Sequence, residues 1–201
     1  MTAAIVAGHP VTVAEVDARE QRLRSGPLTA AFPIAGTSEG RQLRRWVTQL
    51  IVTERVIVAQ AAALGVTADH APSESEVLPD MTARLEIGSI TASTLADPLA
   101  RELFRVVTAP ISVTDDEVAA YHRRNPLRFA TGAQSAAGWR IPAPPPRLEE
   151  VRPMIVAHLL AAARRRAFRG WLDERVADLV VLAPGYEHPG DPRQPDNTHK
   201  H

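Results

Sequence analysis

A chain of 201 residues, 45% of them apolar and 23% charged, is large enough for one domain with a hydrophobic core. Its formal net charge is zero, so no overall electrostatic field attracts it to nucleic acid or to an anionic membrane. It contains no cysteine, which excludes disulfides, thiolate nucleophiles and Cys-ligated zinc.

The N-terminal part of the sequence predicts one strand followed by two helices. Residues 4–11 are typical of a short strand that ends at a turn. Thr12 and Glu15 have the spacing of a capping box, which predicts the start of a helix. Residues 43–64 carry apolar side chains at spacings of three and four and predict a longer helix. Gly65 follows it, at the position where a C′ glycine ends a helix.

The middle of the sequence predicts short helices joined by connectors. Residues 67–80 are polar and marked by proline, which is typical of a connector. Residues 81–90 and 93–107 predict two helices. Thr114 and Glu117 form a second capping-box pattern, and the helix that they begin ends before the next Asn-Pro pair, since the residue before proline avoids the α region.

The C-terminal part predicts a linker, a long helix, a strand and a tail. The linker covers residues 130–147, which are rich in Gly, Ala, Ser and Pro. The helix covers residues 148–179, and the β-branched residues 180–182 predict a strand. We expect a mainly α fold in a single domain over residues 1–184, in which N- and C-terminal strands pair, and a polar tail over residues 185–201.

Four segments stand in an order that is typical of one known layout. They are AIVAGHPVTVAEVD (4–17), RWVTQLIVTERVIVAQ (45–60), VTDDEVAAYHRRNPLRF (113–129) and LEEVRPMI (148–155). Together they resemble the SurA-type parvulin chaperone family. The resemblance implies a SurA-like helical chaperone core in which the long C-terminal helix packs against the N-terminal helices.

One part of that family has no counterpart in this sequence. In the family, the parvulin isomerase domain lies between the segments that match Phe129 and Leu148. Here that gap is too short for a catalytic domain and contains no histidine. We therefore expect no prolyl isomerase activity, and a groove where the inserted domain is missing.

A second resemblance comes from the segments EIGSI (86–90) and GYEHPGDPRQPDNTH (185–199). They are similar to small proteins found beside aromatic polyketide synthases in high-GC bacteria, which are often labelled malonyl transferases. Acyl transfer of that kind needs a serine in a Gly-x-Ser-x-Gly elbow. The nearest string begins at Gly8 and has Pro10 in place of the nucleophile, so we expect no Ser-dependent acyltransferase activity.

The tail contains side chains that are suitable metal ligands. Imidazole and carboxylate groups bind zinc, copper or nickel, and the candidates are His188, Asp191, His199 and His201. The alternative is a flexible polar end that binds a divalent metal weakly and adventitiously. No cofactor is expected.

Five other residues are candidates for partner binding. Arg164, Arg165 and Arg169 form a basic cluster that either docks an acidic partner, such as an acyl carrier protein, or is a solvated helix face. Trp139 in the linker either anchors its loop or lines a groove. Tyr186 lies in a proline-bounded segment that either docks on the protein or a partner, or is disordered.

Two functions are therefore expected as alternatives. The first is a non-catalytic binding or accessory protein that holds an apolar peptide or a carrier-bound acyl chain, in a pathway such as aromatic polyketide biosynthesis. The second is a small pathway enzyme, similar to a polyketide cyclase, acting in the same groove. We expect a protein partner or a homodimer, with no nucleic acid and no membrane. Residues 1–11 lack the pattern of a secretion signal, which leads us to expect a cytoplasmic protein.

Overall fold

The computed structural model describes residues 1–26, 32–130 and 144–190. In these residues helices dominate and three strands form one small antiparallel sheet, which confirms the predicted mainly α class. The elements in chain order are β1 (Thr2–Val6), β2 (His9–Thr12), α1 (Val13–Arg24), α2 (Ser38–Ala63), a 3-10 turn (Ala68–His70), α3 (Glu74–Val77), α4 (Met81–Ile87), α5 (Ser89–Thr94), α6 (Pro98–Val107), α7 (Asp115–Arg124), α8 (Leu148–Leu179) and β3 (Val180–Leu182).

The single strand expected over residues 4–11 is a hairpin of two strands. Ala7 and Gly8 both have positive φ, 47° and 81°, and they reverse the chain between β1 and β2. Two successive residues with positive φ are typical of a tight hairpin turn, and their twist suits the strands that they join. The expectation of one strand was wrong because this turn interrupts a continuous apolar run.

The predicted pairing of the N- and C-terminal strands is confirmed. β1 is the central strand of the sheet, and its Ile5 lies opposite Val181 of β3 in an antiparallel register. Backbone hydrogen bonds close both ends of the pairing, from Ala7 N–H to the Leu179 carbonyl at 2.8 Å and from Ala183 N–H to the Ala3 carbonyl at 2.9 Å. The sheet therefore fixes the end of α8 beside the start of the chain.

The helix boundaries follow the local signals in the sequence. Both predicted capping boxes are present, at Thr12 with Glu15 and at Thr114 with Glu117. Gly65 has φ of 64° and ends α2, where its N–H and the next N–H bond to carbonyls of the last turn. This is the Schellman arrangement, in which a residue with left-handed backbone closes a helix. The predicted bounds of α8 are also observed.

The region predicted as two helices over residues 81–107 contains three. Gly88, with φ of 87°, separates α4 from α5 because the chain changes direction there. Asp97 separates α5 from α6: its side chain accepts a hydrogen bond from Leu99 N–H, and Pro98 fills the first helical position. A proline at that position loses no helical hydrogen bond.

The main hydrophobic core lies between the sheet, α2, α6 and the second half of α8. Phe104 of α6 meets Phe168 of α8 edge to face, with ring centroids 5.2 Å apart. A smaller cluster joins α7 to the first half of α8, where Val118 packs with Val151 and Ile155. The long helix thus belongs to both clusters, and its C-terminal half carries the residues discussed below.

Candidate functional site

An open apolar groove lies between the β1–β2 turn and helix α2. Its volume is about 490 Å³, and its walls come from residues 6, 7 and 9 of the hairpin, which include one histidine, and from Val58, Ala59 and Ala62 on the helix. We call it the hairpin groove. Ala59 and Ala62 have small side chains, so a bound chain can approach this part of α2 closely.

The charged side chains at the rim of the hairpin groove are paired within the protein. Glu54 accepts a hydrogen bond from Arg19 of α1 at 2.7 Å. Arg55 is ion-paired with Glu15 and donates to the Pro10 carbonyl at 2.8 Å. Because each charge has a partner, the groove presents a largely neutral and apolar surface.

Glu15 connects the rim to the first helix cap. Its pKa is lowered because its carboxylate accepts hydrogen bonds from the backbone and side chain of Thr12, and the nearby Arg55 guanidinium adds to the effect. The same carboxylate therefore begins α1 and holds Arg55 at the rim. The Thr12–Glu15 capping pattern therefore also connects the start of α1 to Arg55 of α2.

The spacing of three and four in residues 43–64 includes Glu54 and Val58 and predicts that both lie on the buried face of α2, which is wrong. Glu54 is half-exposed in its ion pair, and Val58 is 57% exposed. The buried face instead includes Gln49 and Thr53. Val58 separates the hairpin groove from a second depression of about 460 Å³, and it is shared by both.

The first residues of the expected tail pack against the domain. Gln49 donates a hydrogen bond from Nε2 to the Tyr186 carbonyl at 3.2 Å, and Arg45 donates from Nε to the Gly185 carbonyl at 3.3 Å. The Arg44 guanidinium lies over the Tyr186 ring, 5.8 Å from its centroid. The packing therefore continues past the expected domain boundary at residue 184, and Tyr186 contacts helix α2 of the same chain.

The three arginines of the basic cluster lie in different environments. Arg165 is 6% exposed and donates from Nε and NH2 to Glu86 of α4, so it stabilises the contact between α4 and α8 and is not accessible to a partner. Arg169 is half-exposed and donates to the Glu86 carbonyl at 3.2 Å. Arg164 lines a depression beside Phe104, and Arg165 contributes to the same lining.

Another cavity, distinct from the depressions described above, brings together residues that are far apart in the sequence. Its volume is about 290 Å³, and it lies between α2, the α4–α5 junction, α8 and the C-terminal segment. We call it the C-terminal pocket. Ile87, Leu172 and Val176 form its apolar walls, and Arg169 and His188 are also among its lining residues. Both segments of the second sequence resemblance thus contribute to one cavity.

The predicted metal ligands are only partly within the described residues. Asp191, His199 and His201 lie outside them, as does Trp139. His188 accepts a hydrogen bond on Nδ1 from Gly190 N–H at 3.0 Å, so this nitrogen is occupied and the ring proton is on Nε2 in the neutral form. Within the described ranges, His, Asp and Glu side chains form no group of three that could hold a metal ion.

Three polar residues of the C-terminal pocket were missed by the sequence interpretation. Gln49, Thr53 and Thr91 line it, and each is less than a tenth exposed. Gln49 and Thr53 are four residues apart within an apolar run of α2, so they lie on one face of the helix. That spacing was a usable signal, because polar side chains on a buried helix face need partners.

Other carboxyls with lowered pKa make hydrogen bonds at helix starts or within a helix. The pKa of Glu117 is lowered by hydrogen bonds from the backbone and side chain of Thr114, and that of Glu76 by the side chain and backbone of Ser73. The pKa of Glu102 is lowered by the Arg105 guanidinium that bonds to it. These groups lie outside the hairpin groove and the C-terminal pocket.

Comparison with known proteins gives one family match. A family model described as a family of unknown function (DUF7158) matches residues 2–39. The chain matches no curated protein and no solved structure. The matched stretch contains both strands of the hairpin and α1, so it covers one wall of the hairpin groove. In the described part of the chain, no helix is both long enough and apolar enough to cross a membrane.

Proposed function

We propose that this chain is a non-catalytic binding protein that holds an apolar segment of another protein in the hairpin groove. The observation that carries the proposal is the open, apolar surface between the hairpin and α2, with its rim charges paired internally. An unpaired charge at the rim would select a charged ligand, whereas a neutral rim favours uncharged apolar side chains. The resemblance to SurA-type chaperones supports the same function.

The edge of the sheet beside the groove favours recognition through side chains. β2 is an edge strand, and strand addition to it would use its outward N–H and carbonyl groups. Pro10 lies within β2 and has no N–H to donate. We therefore propose that the ligand contacts Val58, Ala59 and Ala62 through apolar side chains, rather than adding a strand to the sheet.

A peptide fits this groove better than a carrier-bound acyl chain. An acidic carrier protein needs unpaired cations beside the opening through which its acyl chain enters. Arg55 at the rim is ion-paired, and the basic cluster lies on α8, which does not line the groove. The groove expected at the missing domain borders residues 131–143, which lie outside the described residues, so the hairpin groove is a different surface. The alternative of an enzyme acting in the hairpin groove has less support, since Glu54 is also held in an ion pair.

The first test measures suppression of aggregation of reduced α-lactalbumin. We expect the wild-type chain to suppress this aggregation. Val58→Gln should bind unfolded α-lactalbumin about tenfold more weakly, and therefore suppress aggregation less at equal concentration, because the substitution removes roughly 1.5 kcal/mol of apolar contact. The matched control is Leu85→Gln in α4, since Leu85 is 73% exposed and lines neither depression beside Val58. Equal activity of the two variants, or none in the wild type, would contradict the proposal.

A second experiment tests the narrower proposal of a role in aromatic polyketide biosynthesis. The tagged chain is captured from its native cells, and the co-purified proteins are quantified by mass spectrometry. Recovery of one or two pathway proteins, such as a ketosynthase, is the expected result. A broad set of unrelated, partly folded proteins would contradict the pathway role and leave a general holdase.

A further inference from the structure

We propose that the C-terminal pocket is a second binding site, for a small organic acid with an apolar body and a hydroxyl group at its far end. The proposal is independent of the hairpin groove, with which this pocket shares no lining residue. The pocket has three zones of different chemistry: a buried polar end, apolar walls and a charged opening. Each zone selects one part of the ligand.

The buried end presents polar atoms without a partner in the described part of the chain. Gln49 is 5% exposed, and its Nε2 donates to the Tyr186 carbonyl, which identifies Oε1 as the remaining acceptor. Thr91 is 7% exposed, and its hydroxyl makes no hydrogen bond to any described residue. Neither oxygen is among the fully enclosed unpaired atoms of the described residues, so both are open to the cavity, where a ligand can bond to them.

These atoms specify a hydroxyl group at the buried end of the ligand. The Gln49 carbonyl oxygen only accepts, so its partner must donate. The Thr91 hydroxyl both donates and accepts, and a ligand hydroxyl can bond to it in either direction. A purely apolar ligand would leave both groups unsatisfied at a considerable cost in free energy.

The opening of the pocket specifies an anion. Arg169 is half-exposed, and its ion pair with Asp173 is long, with Nε and Oδ2 3.9 Å apart. A ligand carboxylate can form the shorter, two-pronged pair that a guanidinium prefers, while Asp173, which is 70% exposed, turns to solvent. His188 adds a second donor at Nε2, since its Nδ1 accepts the hydrogen bond from Gly190 N–H.

The walls between the two ends are apolar. Ile87, Leu172 and Val176 line the cavity, and its volume of about 290 Å³ suits a small molecule and not a folded domain or a long chain. The ligand is therefore an organic acid with a compact hydrocarbon body between a carboxylate and a hydroxyl.

The test uses two hydroxy acids as probes of the full chain, 4-hydroxybenzoate with a rigid body and 6-hydroxyhexanoate with a flexible one. Binding is followed by amide chemical shifts of the nitrogen-15-labelled protein. We expect saturable shifts at Gly88, Thr91 and His188 with at least one probe at millimolar concentration. Absence of saturable shifts with both probes, or shifts confined to the hairpin groove, would overturn the proposal.

Three variants test the assignment of the two ends. Arg169→Gln should weaken binding by about tenfold, the effect of losing one charge-assisted contact. Asp173→Asn should tighten it, because a competing carboxylate is removed. Thr91→Val should weaken 4-hydroxybenzoate about fivefold, as expected for one lost hydrogen bond, and leave benzoate unchanged.

The variants also separate binding from stability. Thr91→Val keeps the size of the side chain and removes a hydroxyl that bonds to no described residue, so its Tm should stay the same or rise. Equal losses of affinity for benzoate and 4-hydroxybenzoate in Thr91→Val would show that the ligand hydroxyl does not reach this end, and would overturn the assignment. So would weaker binding by Asp173→Asn.

Discussion

Arg165 of α8 donates two hydrogen bonds, from Nε at 2.9 Å and from NH2 at 2.8 Å, to the same Oε2 atom of Glu86 in α4. The side chain of Arg165 is 7% exposed and that of Glu86 is 36% exposed. The ion pair thus joins two helices through residues that are 79 positions apart in the sequence, next to the C-terminal pocket. It explains why a residue from a run of arginines is buried.

The first prediction concerns this ion pair. Glu86→Gln should destabilise the protein by about 1.5–3 kcal/mol, because the substitution leaves the buried Arg165 guanidinium without its counter-charge. We expect a value towards the lower end of this range, because Glu86 is partly solvated. Urea denaturation measures the effect. The double variant Glu86→Leu with Arg165→Met removes both charges and should be closer to wild type than Glu86→Gln. A double variant less stable than the single one would contradict this account.

The second prediction compares two helical glycines. A Cβ at Gly40 would collide with the Ile34 carbonyl oxygen, so Gly40→Ala should destabilise by about 1–3 kcal/mol despite the better helix propensity of alanine. A Cβ at Gly170 in α8 would meet nothing within 4 Å, so Gly170→Ala should stabilise by about 0.5–1 kcal/mol. Thermal unfolding checks both. The same sign for the two changes would refute the packing explanation.

The third prediction concerns stability in acid. The folded-state pKa of Glu15 lies below its ordinary value of 4.5, so its charged form contributes stability above that pH. This contribution is lost as the pH falls through the lower folded-state pKa. Glu15→Gln keeps the capping-box hydrogen bond but does not titrate, so its Tm should fall less steeply than that of the wild type below pH 4.5.

The matched control for Glu15 is Glu149→Gln, an exposed glutamate in the first turn of α8. Its Tm should follow the wild-type dependence on pH more closely than that of Glu15→Gln. Parallel curves for Glu15→Gln and the wild type in acid would mean that Glu15 is not responsible.

The fourth prediction concerns the docking of the C-terminal segment. Tyr186→Ala should cost about 1–2 kcal/mol, because a half-buried ring and its contact with Arg44 are lost. Tyr186→Phe keeps the ring and should cost less than about 0.5 kcal/mol. Urea denaturation gives the free energies, and protease cleavage after residue 186 reports release of the segment. Equal costs for the two variants would place the stabilisation in the hydroxyl and not in the ring.

Local signals in the sequence determined most element boundaries. The capping boxes at Thr12 and Thr114 and the glycine at residue 65 define helix ends through hydrogen bonds to nearby residues, so they were predictable. The positive φ of Ala7 and of Gly88 was not predicted, and for that reason the hairpin and the α4–α5 break were missed.

By itself, the sequence determined the helical class, the bounds of the long helix and the position of β3, because periodicity, caps and β-branched residues act over a few neighbours. The pairing of β3 with β1 was also expected, but it is a contact between opposite ends of the chain, beyond the reach of these local signals. Only the tertiary structure decided which helix faces are buried. It buried Arg165, exposed Val58 and placed Gln49 and Thr91 in the lining of one cavity. These outcomes depend on packing between segments distant in the chain, and a cavity exists only where such segments meet without filling the space between them.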